Sequence, residues 1–404
     1  MIARADGQVV LVSGAIPGER AEVRIERIGK GVAFGQAVAI DLPSPDRRVP
    51  GGDPACGGCL YAHIAYPRQL ELKAQVIADA LGRIGRIVWA PAIRVASSPE
   101  LGYRMRARLH VRDARIGFFR EGTHALCDAR PLGQLLPETC DVLDRIAGAL
   151  AAGSVHGSGD VELSENIDAS GRAVHLDIDA PFDPRALAAS IGAAGLTGLS
   201  IARPGRGEPP TVAIGDPHVD DVLEVDGHQV VLRRHVLSFF QGNRFLLGDL
   251  AALVVGHVAE GDDVVDLYAG VGLFAVAAAV ARRARVTAVE GDSRSAADLR
   301  GNVATLGGVV RAVHEPVEDF TAHHRRPPAV LIADPPRTGM SKPALAGVLA
   351  LAARQIVYVS CDAATLARDA RVLLDAGYRI GRIDAFDLFP NTPHVETVVT
   401  FDAR

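Results

Sequence analysis

Cys361 closes an apolar run, Ile356 to Val359 and then Ser360, and stands just before a stretch that reads as a helix, Ala363 to Ala376. A thiol attacks only as the thiolate, and a helix N-terminus favours that anion, so the position suits a nucleophile. An inert buried thiol is the plainer use of such a residue. A second apolar run, Val330 to Ala333, ends in Asp334-Pro335-Pro336-Arg337. Two prolines fix φ there and leave a rigid turn headed by an acid. Farther on, Pro390-Asn-Thr-Pro-His394-Val-Glu396-Thr offers two general bases, His394 and Glu396. A nucleophile with a base nearby is the equipment of a reaction that passes through a covalent adduct.

A fourth stretch supplies a cofactor site. Asp266-Leu-Tyr268-Ala-Gly270-Val-Gly272-Leu-Phe-Ala275 follows from the apolar run at Val264. Glycines let the backbone approach a ligand at a helix N-terminus. Glu290 ends the next apolar run, twenty positions after Gly270. That is the spacing at which an acid meets a ribose hydroxyl. Gly270, Gly272 and Ala275 satisfy the relaxed dinucleotide fingerprint, so NAD is one candidate. Asp266, however, would repel a pyrophosphate. S-adenosyl-L-methionine has a ribose for Glu290, a methionine end for Asp266 and no phosphate, and it is the preferred cofactor. Amino-group methyltransferases place an aromatic after a similar Pro-Pro turn to stack the base; here Arg337 follows. One methyl acceptor does need a cysteine. C5 of uracil becomes nucleophilic once a thiolate has added at C6, and a base must then take the C5 proton so that the thiol can leave.

These residues need a sheet edge to bring them together. Short β-branched runs at 264–267, 286–289, 309–313, 330–333 and 356–359 alternate with helical stretches at 273–282, 293–306, 343–353 and 363–376. This is the pattern of a doubly wound parallel sheet, closed by a final pair at 378–388 and 395–401. Upstream, Tyr103-Arg-Met-Arg-Ala-Arg-Leu-His alternates strictly, which puts Arg104, Arg106 and Arg108 on one strand face. Seven arginines against three acids between 101 and 135 make a local basic patch in a chain of net charge −5. Such a face suits an RNA backbone, or is simply solvated. Further strands are expected at 161–163, 173–178, 212–214 and 228–232. Between them Pro181 to Gly207 is rich in Ala and Gly, with a helix near 184–191. An amphipathic helix is expected at 68–83. At the start, short strands at 9–12, 22–28 and 34–40, with turns at Gly14, Pro17-Gly18, Gly29 and Gly31, predict a small β-barrel.

The chain has 404 residues, 48% of them hydrophobic and 23% charged, enough for two or three core-forming domains. Five scattered cysteines argue against a disulfide scaffold and for a reducing compartment. Cys56-Gly-Gly-Cys59 can chelate a metal, or can be a tight turn with two spare thiols. The first residues do not read as a signal peptide, and the most apolar run, Leu273 to Ala281, is too short for a membrane span. A cytoplasmic monomer without membrane attachment is expected.

With these motifs in view, the whole chain resembles the RNA uracil-5-methyltransferases. The carriers are Ser238-Phe-Phe-Gln241-Gly-Asn243, Asp266 to Gly272, Asp334-Pro-Pro-Arg-Thr-Gly339, Val359-Ser-Cys361 with Thr365-Leu-Ala-Arg-Asp369, and His394-Val-Glu396-Thr. The resemblance implies an α/β fold: a Rossmann-like class I methyltransferase domain at 235–404, a β-rich central domain at 50–234, and an OB-like, TRAM-like RNA-binding barrel at 1–42. The helix at 68–83, inside the central domain, is expected to pack on the catalytic one. It implies Cys361 as the nucleophile and Glu396 as the base that takes the C5 proton. It implies S-adenosyl-L-methionine contacts from Gln241, Tyr268, Glu290 and Asp334, beside those read above for Asp266 and Gly270. The partner is ribosomal or transfer RNA, with Arg104 and Arg106 as backbone contacts. Phe239-Phe240 would shape the pocket for a flipped base. Many members hold an iron–sulfur cluster on four cysteines. Here Pro50 takes the first position and Asp128-Ala-Arg130-Pro131 the last, with Cys127 a few positions off, so no cluster and no metal is expected. Asp362-Ala363 replaces the family's Asn-Pro after the nucleophile, and a carboxylate there is expected to raise the thiol's pKa. Leu273 replaces an Asn that would bond the donor. An RNA-binding protein that keeps the donor pocket without turnover is the alternative.

Overall fold

A computed structural model describes residues 1–5, 7–202 and 211–403. The end of the Ala- and Gly-rich stretch, 203–207, lies outside them. The first strands are β1 (Ile2–Ala5), β2 (Gln8–Ser13), β3 (Arg20–Ile28) and β4 (Val32–Leu42), one sheet in the order β1-β2-β4-β3. Its core is small: Val10, Val12 and Ala33.

Helix α1 (Tyr66–Arg83) and strand β5 (Val95–Ala96) come next. They are followed by β6 (Arg106–Arg112), β7 (Arg115–Phe119), β8 (Leu126–Cys127), α2 (Pro137–Ala152), β9 (Ser158–Glu165), β10 (Arg172–Asp179), α3 (Pro184–Ile191), β11 (Gly198–Ala202) and β12 (Thr211–Gly215). The strands β6 to β12 form a second sheet, β12-β11-β10-β9-β6-β7-β8. Met105, Ala107 and Leu109 are buried while Arg104, Arg106 and Arg108 share the opposite face, as strict alternation requires. Helix α2 was not anticipated. Cys140, Leu143, Ile146 and Leu150 recur on one helical face and bury it against this sheet. A hairpin, β13 (His218–Val225) and β14 (His228–His235), leads onward.

The C-terminal half contains α4 (Leu247–Val255), β15 (Asp263–Leu267), α5 (Leu273–Arg282), β16 (Arg285–Glu290), α6 (Ser293–Val303), β17 (Val310–His314), α7 (Val317–His323), β18 (Val330–Ala333), α8 (Lys342–Ala350), β19 (Gln355–Ser360), α9 (Ala363–Asp375), β20 (Arg379–Phe386) and β21 (Glu396–Asp402). Its sheet runs β17-β16-β15-β18-β19-β21-β20-β5. Strands β15 to β19 pair with one another in parallel, and β21 is antiparallel to both β19 and β20. One face packs on α4, α5 and α6, the other on α7, α8, α9 and α1. Parallel strands buried on both sides read as continuous apolar runs, which is why β18 and β19 stood out. The topology reverses at β15 and β18, and open α/β sheets bind ligands outside the strand ends at that point. Ile77 and Leu81 tie α1 into the core that also holds Leu366, Ala370 and Leu373 of α9.

Two cysteines depart from expectation. Cys56 and Cys127 form a disulfide across 71 residues of sequence, where free thiols were expected. The cause is local pairing: Phe118 pairs with Cys127 across β7 and β8, and Cys56 bridges to Arg120 just past β7. Cys127, one of the two residues (with His63) that the sequence offers to join Cys56 and Cys59 around a metal, is thus beside the turn, as a disulfide partner. Among the described residues, no helix is long and apolar enough to cross a membrane.

Candidate active site

The site is built on the C-terminal edge of β16, β15, β18 and β19. Glu290 ends β16 and Asp266 lies one residue inside the end of β15. Asp334 follows β18, and Cys361 follows β19. Strand β21 runs the other way, so its first residue, Glu396, reaches the same edge. Ser360 pairs with Thr397, and one further step of that register sets Cys361 opposite Glu396. Directly opposed residues of an antiparallel pair project from the same face, about 5 Å apart at Cβ.

On the donor side, the turn after β15 is tightly held. Tyr268 has φ 61° and Gly270 φ 57°. A non-glycine in the left-handed region costs free energy and is held by its surroundings. Gly272 has φ 101°, and a Cβ there would meet Leu299 at 2.8 Å, so only glycine fits before α5. Glu290 Oε2 accepts from the Gly270 amide at 2.7 Å and Oε1 from the Asp292 amide at 2.6 Å. Asp266 is fully buried, and neither carboxylate oxygen finds a hydrogen bond of ordinary geometry. Burial first, then the charges of Asp334 and Glu290, pushes its pKa well above the usual carboxylate range, with the Ala275 amide a weak offset. A buried, unpaired acid is costly unless something comes to meet it. Gln241, buried on the loop after β14, donates from Nε2 to Asp334 at 3.2 Å. Burial pushes Asp334 up to about 7, and the Gln241 bond opposes that rise. Leu273, the first residue of α5, is buried and apolar.

The acceptor side carries the thiol. Burial, then the acids Glu396 and Asp334, pushes Cys361 up to about 11, while Arg337 pulls it down through charge and a hydrogen bond. Against the expectation of a thiol favoured as the anion by the helix start, Cys361 is raised. Asp362 accepts from the amides of Ala364 and Thr365 as the cap of α9. That corrects the expectation for Asp362: its carboxylate is turned into the helix, and Glu396 and Asp334 are the acids that raise Cys361. Glu396 is buried with Oε1 unpartnered, and burial plus the Asp334 charge raise it well above its ordinary value. His394 is lowered to about 4, mainly by burial, then by Arg337, Lys73 and Arg104, so it is neutral at pH 7.

The later motifs position this chemistry. Thr365 Oγ1 donates to the Arg337 carbonyl at 3.2 Å, and Arg368 to the carbonyls of Thr338 and Met340. Asp369 accepts from the Met340 amide at 2.9 Å and the Tyr358 hydroxyl at 2.7 Å. The start of α9 thus fixes the Asp334-Pro-Pro-Arg337 turn. Lys73 of α1 pairs with Asp387, both fully buried, and donates to the Phe389 carbonyl at 3.1 Å. Gln69 and Asn391 exchange two bonds of 2.9 Å. From the sequence, Arg337 is named only within the Asp334-Pro-Pro-Arg337 turn, and Lys73 and Gln69, two polar residues on the buried face of α1, are not named.

Arg104 and Arg106 are engaged by other residues of the chain. Arg104 bridges to Asn243 and donates to Gln134 at 2.8 Å. Arg106 faces Glu162 at 3.6 Å, with its guanidinium 5.7 Å from the ring of exposed Phe239. Phe240 is buried under Arg234. The cysteines do not fit a four-thiolate cluster: position 50 is proline, Cys56 is bonded to Cys127, and Cys59 alone is a free thiol there. Burial, then the Asp53 charge, pushes Cys59 up to about 11, away from thiolate.

Comparison with known proteins follows the same division. A family model described as tRNA (Uracil-5-)-methyltransferase matches residues 317–404, a TRAM domain model matches 1–38, and a TRM5/TYW2 methyltransferase domain model matches 250–337. The chain is 32% identical to the 23S rRNA (uracil(1939)-C(5))-methyltransferase RlmD of Pseudomonas putida, over 100% of this chain and 90% of that one. It is 30% identical to an uncharacterized RNA methyltransferase of Corynebacterium efficiens, over 100% and 91%. Among solved structures it resembles the Pyrococcus abyssi tRNA (uracil-54, C5)-methyltransferase in complex with S-adenosyl-L-homocysteine. That match has a TM-score of 0.77 and 25% identity, and covers 97% of this chain and 94% of that chain.

Proposed function

The chain belongs to the RNA uracil-5-methyltransferase family, and we propose that it works through a covalent adduct between Cys361 and C6 of the target uridine. It is an S-adenosyl-L-methionine-dependent enzyme acting on C5 of uracil in RNA. The observation that carries the mechanism is the Ser360–Thr397 pair that ends the β19–β21 ladder, with Cys361 and Glu396 as the next residues on either side and Glu396 close enough to raise the thiol.

The donor pocket fits its cofactor. Asp266 is an orphaned buried acid awaiting a partner, Glu290 keeps lone pairs for ribose hydroxyls, and Gly270 and Gly272 leave the turn open. Tyr268, Gln241 and Asp334 complete the residues that would hold it. When bound, S-adenosyl-L-methionine supplies an electrophilic methyl group. Arg337 stabilises the Cys361 thiolate, and the thiolate adds to C6, which gives C5 its electron pair for bonding to carbon. Once C5 carries the new methyl group, Glu396 accepts the C5 proton. The electron pair of that C–H bond restores the C5–C6 double bond, and the C6–S bond breaks to return the thiolate. A carboxylate raised by burial is a stronger base than an exposed one, which suits this step.

The RNA is a structured ribosomal or transfer RNA. The higher identity of the relative named for 23S rRNA favours ribosomal RNA. The purified chain is incubated with donor carrying a deuterated methyl, and with transcribed 23S rRNA or a tRNA pool. Mass-spectrometric mapping is expected to find labelled 5-methyluridine in the rRNA. Label in tRNA alone overturns the choice of RNA, and label in neither overturns the reading.

A further inference from the structure

A cavity of about 440 Å³ opens beside the acceptor side, between the loop that leads to Glu396 and the hairpin β7–β8. This size falls within the roughly 300–1,000 Å³ of small-ligand sites. Arg104 and Arg337 both line it, and Arg104, lowered mainly by burial, also feels the Arg337 charge. Among the described residues neither has a carboxylate within ion-pairing distance, whereas Arg106, Arg108 and Arg120 do. Two guanidinium groups held together without a counter-charge make a site for an anion. The other wall is aromatic. His110 and Phe119 stack with centroids 3.6 Å apart and planes 4° from parallel, and His124 meets Phe119 edge-on at 5.3 Å. His124 is exposed, and Phe119 is half-buried.

The wall is anchored by the one motif that the donor and acceptor sites leave unused. The Gly57 amide donates to the Phe119 carbonyl at 3.0 Å, and the Glu121 amide to the Ala55 carbonyl at 2.7 Å. A Cβ on Gly57 would press on the Phe119 carbonyl at 3.2 Å, and one on Gly58 would meet Gln134 at 2.5 Å. The Cys56–Cys127 bond fastens the far side of the same hairpin. The Cys-Gly-Gly-Cys turn is therefore a clamp under Phe119 and His124.

We infer that this cavity binds a second nucleotide of the RNA, adjacent to the target uridine, with its phosphate between Arg104 and Arg337 and its base on the Phe119–His124 wall. Anion and flat ring side by side are the two halves of a nucleotide, and stacking on an aromatic wall accepts any base. Arg337 links the cavity to the reaction, since its positive charge pulls the Cys361 thiol toward the thiolate and its guanidinium stands 3.5 Å from His394. Exposed Glu121 is the acid on the rim, and it tempers the field there. The inference rests on the proposed RNA chemistry above.

The test compares steady-state methylation of 23S rRNA by the wild type, His124→Ala, Phe119→Ala and Phe119→Tyr. UV crosslinking and peptide mapping accompany it. The two alanine variants are expected to raise KM for RNA roughly tenfold, with kcat within about twofold. Phe119→Tyr, which keeps a stacking ring, is expected to restore KM, and the crosslinked nucleotide is expected on the peptide spanning 115–127. His124 lies at an exposed tip, so His124→Ala reports even where Phe119→Ala fails to fold. Unchanged KM in His124→Ala together with crosslinks only on other peptides overturns the second site while leaving the methylation reading intact. A wild type that methylates no RNA overturns both.

Discussion

The donor and acceptor sides share one sheet edge, yet they are finished to different degrees. On the donor side the backbone supplies most of the order: Glu290 is bound to two amides, and left-handed φ values at Tyr268, Gly270 and Gly272 lock the turn. It lacks one partner, the group that would meet Asp266. On the acceptor side the shortfall is of charge. Arg337 and Arg104 face a cavity with no paired acid, and Cys361 and Glu396 both have raised pKa values. A small cofactor can complete the first site. The second offers two arginines to an anion, and its thiol, pushed up to about 11, is held in the protonated form in the free chain.

The largest expected break between the two sides is Cys361→Ala. It should abolish methylation and leave the affinity for S-adenosyl-L-homocysteine within about twofold by calorimetry, because the thiol belongs to the acceptor side alone. A matching loss of cofactor affinity would mean that the sides are not separable.

Arg337→Gln is the next in size. Its positive charge favours the thiolate, so its removal must push Cys361 further up. The pH profile of Cys361 alkylation in the free enzyme should move to higher pH by about one unit, near tenfold in thiolate at fixed pH. An unmoved profile would show that Arg337 serves only the RNA.

Asp266→Asn is the smallest and has two signs. The folded pKa of Asp266 is raised, so its favourable contribution is full below the unfolded pKa and is lost as pH rises. Asparagine removes that loss. The cofactor-free variant should melt higher than wild type at pH 8, by about 2–4 °C for each kcal/mol, with no gain near pH 4. Its S-adenosyl-L-homocysteine affinity should fall. A gain at pH 4 equal to that at pH 8 would place the effect in packing instead.

Much of the donor side was legible because its signals are local. Gly270, Gly272 and an acid twenty positions on are fixed by the geometry of one β-turn-α unit. The apolar runs that became β15, β18 and β19 were equally plain, since strands buried on both faces leave no polar positions. The acceptor side was legible only in its residue types. Cys361 and Glu396 were named, but their opposition depends on the β19–β21 register, which no local pattern prints. Asp362 was misjudged because its neighbour in sequence is Cys361 while its partners in space are two amides. Cys127 was judged out of place by the same error of distance, and the disulfide follows from a hairpin that the sequence did not resolve. Helix α2 is missed because no chemistry-bearing motif marks the stretch after Pro131, although its buried stripe is regular.

The decisive measurement is intact-mass analysis of Glu396→Gln after incubation with S-adenosyl-L-methionine and its RNA. Without the base, Cys361 should add and C5 should gain its methyl group, but the C5 proton should stay. The expected result is a stable protein–RNA adduct that maps to Cys361 and carries one extra methyl, and that the double variant Cys361→Ala with Glu396→Gln fails to form. Turnover should fall by roughly 10²–10⁴. Normal turnover by Glu396→Gln with no adduct would contradict the paired roles of the two residues.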